Sequence, residues 1–189
     1  MKLGLSLNTN NMMTTSSAWA PSDESSLEAW YQNAVGITLD GSDVATWEDS
    51  SGNDIHMTQA SVGKQPAYSG GVLTFVSTAR DFLQTTGQIS LTGAFTIGMR
   101  WNPDLTAAGT FLGDNHIVIT RDSSDLISFW NNGVLQADTE TLAGTSLIDA
   151  ISVRQPNVDN FDGTISEIQI YSSTSAGLTS NVTARISTL

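Results

Sequence analysis

This 189-residue chain sets 19 carboxylates against 7 cations, and the spacing of the carboxylates decides what chemistry they could do. A glycosidase on a β-sandwich would need two carboxyl groups on one strand, about 5–10 Å apart. Glu48 and Asp49 are adjacent, so on a strand they point to opposite faces. Glu167 stands alone between Ile165 and Ile168. His56 and His116 are the two histidines of the chain. A Ser-His-Asp triad can be composed from them on paper, but no serine sits in a nucleophile motif. Two half-exposed strand histidines account for both without a metal pair. The expectation is a protein that is not an enzyme.

Binding is the remaining chemistry. Sugar recognition stacks an exposed aromatic on the ring and meets the hydroxyls with Asp or Asn. The candidates are Trp101 with Asn102, and Trp130 with Asn131 and Asn132. Tryptophans at strand ends also serve as core plugs. Oxygen-rich side chains cluster twice, at Asp49, Asn53 and Asp54, and at Asp114 and Asn115 with Asp122 and Asp125. Neither cluster has the loop spacing of an EF-hand, and turn chemistry places Asp and Asn in such loops without an ion. Asn181-Val182-Thr183 matches a glycosylation sequon but falls in a stretch that reads as helix.

Short strands must position these residues. Candidate strands run over 44–47, 55–59, 72–76, 82–85, 95–101, 110–112, 117–121, 126–130, 134–137, 150–154 and 164–171. A spacing of about ten residues with turns between is the pattern of an all-β sandwich. Phe95, Ile97, Met99 and Trp101 alternate with Thr96, Gly98 and Arg100. The run at Leu126 is apolar on both faces and reads as central. Asn131-Asn132-Gly133 predicts a tight hairpin turn. One helix is expected near the end, with Leu178, Val182 and Ile186 on one face and Thr179 or Ser180 as cap.

Residues 1–26 form a separate leader of Asn, Thr, Ser and Met, with Leu3, Leu5 and Leu7 alternating at its start. It reads either as a disordered segment or as an arm that adds a strand to a neighbouring subunit. The apolar run stops at Leu7, too short for a secretion signal. A net charge of −12 repels phosphate backbones and anionic membranes, so neither nucleic acid nor membrane is an expected partner. With no cysteine, disulfides and thiolate metal sites are excluded.

Four pieces carry a family resemblance: Trp47 through Asn53, Gly71 through Leu83, Leu91 through Trp101, and Phe161 through Tyr171 followed by the short helix. Residues 27–189 thereby resemble the concanavalin A-like, or laminin G-like, jelly-roll domain, of the kind found in structural proteins of tailed bacteriophages. The resemblance implies a two-sheet antiparallel jelly-roll sandwich with a short C-terminal helix and an extended N-terminal arm. It implies a structural place for Glu167, holding loop backbone or a neighbouring strand. It implies calcium as the possible cofactor, with Asp114, Asn115, Asp122 and Asp125 as candidate ligands. The expected role is a virion structural protein, a capsid decoration (cement) protein or a tail or neck appendage. It would be homo-oligomeric and anchored to capsid or tail subunits through Leu3, Leu5 and Leu7. It would be made in the host cytoplasm. The alternative is a lectin-like module for host-surface glycans.

Overall fold

The computed structural model describes residues 18–104, 115–136, 139–152 and 161–189. Its strands are β1 (Leu27–Tyr31), β2 (Ile37–Asp40), β3 (Asp43–Trp47), β4 (Met57–Thr58), β5 (Ala67–Ser69), β6 (Val72–Phe75) and β7 (Leu83–Leu91). There follow β8 (Phe95–Pro103), β9 (Asn115–Arg121), β10 (Leu126–Asn131), β11 (Val134–Leu135), β12 (Glu140–Thr141), β13 (Ser146–Ile151) and β14 (Gly163–Tyr171), then α1 (Ala176–Ile186).

One hydrogen-bonded path runs β11-β10-β9-β8-β14-β6-β5-β3-β4-β7-β13, with β1 beside β14, β12 beside β10 and β2 beside β3. The path folds back on itself into two layers. Phe95, Ile165, Ile168 and Ile170 from the β8–β14 layer meet Val44, Trp47, Met57, Leu83 and Ile89 from the other in one core. This is the all-β sandwich with a short C-terminal helix that the alternation predicts. Trp47 has no exposed surface, and its indole N–H donates to Gln32 O at 3.1 Å.

The β8 alternation resolves into two faces. Ile97, Met99 and Trp101 pack toward the sandwich core. Gly98 faces outward beneath α1, where an added Cβ would lie 2.2 Å from Val182 Cγ1. The helix can therefore seat its Val182 and Ile186 close to the sheet. Asn132 and Gly133 both adopt positive φ, 50° and 75°, as the hairpin turn requires.

Several elements differ from the expectations. The helix begins earlier, capped by Ser175, whose hydroxyl accepts from Leu178 N at 3.0 Å. Leu126–Asn131 is not central: it lies next to the two-residue strands β11 and β12, and its residues are half-buried or exposed. β2 was not among the expected strands, although Ile37 and Leu39 alternate with Thr38 and Asp40; it is four residues long and mostly exposed, and it pairs with β3. The leader is not wholly separate, since Trp19 packs with Leu27 and Trp130 around Leu178, Val182 and Ile186. Ser26 O also accepts from Ser172 N at 2.9 Å. Leu3, Leu5, Leu7 and the run at 110–112 lie outside the described residues.

Candidate functional site

The outward face of the β8–β14 layer is built around a carboxylate. Ile165 pairs with Trp101 while Glu167 pairs with Arg100, so the register slips by one residue at Ser166. Such a bulge reverses the facing of everything after it. It turns Glu167, Gln169 and Tyr171 to the helix side and leaves Ile168 and Ile170 in the core. Glu167 Oε1 accepts from Trp30 Nε1 at 3.1 Å, Gln169 Nε2 at 2.7 Å and Arg185 Nε. Oε2 accepts from Asn33 N and Arg185 Nη2, both at 3.1 Å. The Arg185 guanidinium also lies 4.9 Å from the Trp30 ring centroid. Tyr171 Oη donates to Gln169 Oε1 at 2.8 Å, and burial pushes the Tyr171 phenol above its ordinary range. Both Glu167 oxygens are saturated, so this carboxylate ties β1, β14 and α1 together and has no lone pair to offer a substrate.

Asp49 is saturated in the same way. It accepts from Trp30 N at 2.9 Å, Ser51 N at 2.9 Å, Ser51 Oγ at 2.7 Å and Ile55 N at 3.3 Å. Asn53 Nδ2 donates to Leu27 O at 3.1 Å and Glu28 O at 2.9 Å. The Trp47–Asp54 segment is therefore fastened to β1, with the Asp49 oxygens spent on backbone N–H groups and the Ser51 hydroxyl.

The calcium candidates do not converge. Asn115 opens β9 opposite Trp101, whereas Arg121 closes it opposite Phe95. Asp122 and Asp125 follow at that far end, about 20 Å away for a strand of this length. Asp122 Oδ1 caps its own turn, accepting from Ser124 N at 2.8 Å and Leu126 N at 3.0 Å. Asp114 lies outside the described residues. Among the described residues no three His, Cys, Asp or Glu side chains group as an ion would need.

The sugar candidates divide between the two faces of one layer. Trp101 packs inward, stacked on Phe161 at 5.5 Å and 21°. The cavity it shares with Asn33, Arg100 and Asn102 holds about 200 Å³, below the size of ordinary ligand sites. Asn132 is spent on the hairpin, its Oδ1 accepting from His116 N and its Nδ2 donating to Asn115 Oδ1, each at 3.0 Å. Asn131 faces inward opposite Ile117. Trp130 faces outward opposite Val118.

Trp130 borders a groove of about 610 Å³ between the β9–β10 hairpin and α1. Thr120, Gly133, Thr174 and Ser175 complete one side, and Thr179, Ser180 and Thr183 of the helix complete the other. Six of these side chains carry hydroxyls, and none is charged. The Trp130 indole N–H is buried, with no hydrogen-bond partner among the described residues. A second cavity of about 470 Å³, lined by Phe95, Ile97, Ile119, Ile127 and Ile148, opens between the layers. Its walls are apolar apart from Glu140 and Ser146, so it offers little to orient a polar ligand. The sequence pointed to Trp130, but the helix hydroxyls were missed. Ser and Thr at 179, 180 and 183 follow helical spacing, which is the signal that could have found them.

No protein-family model matches the chain, and no curated protein matches it. Among solved structures, it is similar to a Trypanosoma rangeli sialidase in complex with 2,3-difluorosialic acid, at TM-score 0.54 and 12% identity, over 86% of this chain and 33% of that one. A second structure of Trypanosoma rangeli sialidase gives TM-score 0.52 at 12% identity, over the same shares. The chain thus spans about a third of the length of these proteins. At this identity the likeness is one of fold. It corrects the expectation that enzymes are excluded, because solved structures that share this fold include a sialidase. The sequence lacks the carboxylate motif of one such reaction, and that was too narrow a ground for the exclusion: in the fold the Asp81 carboxyl lies within electrostatic reach of Asp43 and Asp162.

Proposed function

We propose that the chain is a carbohydrate-binding module whose contact surface is the groove between α1 and the β9–β10 hairpin. The observation that carries this reading is the setting of Trp130, an aromatic beside a groove rimmed with Ser and Thr hydroxyls. An aromatic face with a few placed polar groups is the usual composition of a sugar site. The fold likeness to part of a sialidase solved with a sialic acid derivative supports it. The test is calorimetric titration of the full chain with oligosaccharides. Trp130→Ala should weaken binding about tenfold or more, or 1.4 kcal/mol. Trp101→Phe, on the opposite face, should leave binding unchanged. Loss of binding with Trp101→Phe and not with Trp130→Ala would sink the groove as the site.

A second reading has the chain as a virion structural protein, a capsid decoration or a tail or neck appendage, held by its leader. Its support is the fastening of the leader's end. Trp19 packs beside Leu178 and Val182, and its Nε1 donates to Glu24 Oε1 at 2.9 Å. An arm carrying Leu3, Leu5 and Leu7 would thus leave from a fixed point near α1. A truncation lacking residues 1–17 keeps these contacts. It should lose incorporation into particles while melting at the same temperature; continued incorporation would end the arm hypothesis.

A further inference from the structure

We infer that the groove takes a neutral sugar and refuses an acidic one, an inference that rests on the carbohydrate reading above. The argument is electrostatic. A sialic acid brings a carboxylate, and burying it demands a cation or several donors. Among the described residues, no lining side chain of the groove is charged. Among the described residues, the cations of this layer are engaged or lie elsewhere: Arg100 lines the separate cavity beside Trp101 and Asn102. Arg185 is bound by Glu167. Arg121 is on the inner face with no exposed surface, bonded to backbone carbonyls. Lys64 belongs to the other layer, 5.8 Å from the Phe82 centroid. The whole chain adds a repulsive field, with a net charge of −12.

What the groove does offer suits a neutral ring. Thr120, Thr179 and Thr183 present methyls and hydroxyls together, and Ser180 adds an exposed hydroxyl at the rim. Hydroxyls both donate and accept, as do those of a hexose. A small tilt of Trp130 would also give its unpartnered N–H an acceptor on the ligand. The preference would be opposite to that suggested by the sialic acid derivative in the similar structure.

The experiment titrates the full chain with one oligosaccharide in two forms, terminally sialylated and desialylated. The neutral form should bind at least about tenfold more tightly. Ser180→Arg then places a cation at the rim on an exposed helix position that tolerates arginine. It should raise affinity for the sialylated form selectively, and added salt should erase the gain. Equal or tighter binding of the sialylated form by the native chain would overturn the neutral-sugar inference and leave the carbohydrate reading standing. Binding of neither form would overturn both.

Discussion

Glu167 and Arg121 lie on opposite faces of the β8–β14 layer, both without exposed surface, and they are held in opposite ways. Glu167 meets a countercharge, Arg185, whose side chain is 24% exposed and belongs to the C-terminal helix. Among the described residues Arg121 meets no carboxylate. Its guanidinium donates to Leu91 O at 2.8 Å, Gly93 O at 2.7 Å and Gly144 O at 2.7 Å, and lies 4.9 Å from the Phe95 centroid. The outer charge fastens an added element to the sheet. The inner charge fastens loops to the sandwich they connect. The proposed sugar groove lies on the face that was completed by an addition, because a helix laid on a sheet leaves a groove along its flank.

The contrast can be broken from either side. Glu167→Ala should have the largest effect, about 3–5 kcal/mol, since it strands Arg185 and the buried donors of Trp30 and Gln169. Chemical denaturation would measure it, and a loss below 1 kcal/mol would mean the network is not what holds α1. Arg121→Met should cost less, about 2–3 kcal/mol, because the apolar replacement fills the space but leaves the carbonyls unpaired. That variant should keep the sugar affinity of the native chain, as it touches the other face. Ser175→Ala removes the helix cap and should cost about 1 kcal/mol. It should also weaken sugar binding, which Arg121→Met should not.

The smallest effect concerns His116, on the outer face. Burial, and then the nearby Arg100 charge, hold its imidazole below the ordinary histidine range. The folded state thus disfavours the protonated form. Stability from this group is full above the unfolded pKa of about 6.5 and declines as pH falls through it toward the folded value. A series of melting curves should show that decline, and His116→Gln should flatten it. An unchanged slope in the variant would assign the decline to other groups.

The strands were legible where one face is buried and the other is not, as in Phe95–Trp101. β2 was missed although Ile37 and Leu39 alternate with Thr38 and Asp40, because a run of four residues with three exposed buries too little to stand out. The hairpin at Asn132-Gly133 was written in its residue types. The outward residues of β14 were harder, because Glu167, Gln169 and Tyr171 are covered by elements distant in sequence. A trace was present: Ile165 and Ile168 break the alternation by one residue, which is the bulge. The two sugar candidates looked equivalent because each is a tryptophan beside an asparagine. Their separation needs the register, which sets Trp101 opposite Asn115 and Trp130 opposite Val118. The groove itself exists only once the helix has docked, so strand patterns alone could not reveal it.

Gly98 gives that docking a further consequence. With no side chain on β8 at this point, Val182 rests directly on the sheet backbone, where an added Cβ would lie 2.2 Å from its Cγ1. On the hairpin side, a Cβ added to Gly133 would sit 3.4 Å from Thr183 Cγ2, so that wall is tight as well. One wall of the groove therefore owes its place to an absent atom: a single Cβ at residue 98 would lift the helix from its bed and carry that wall with it.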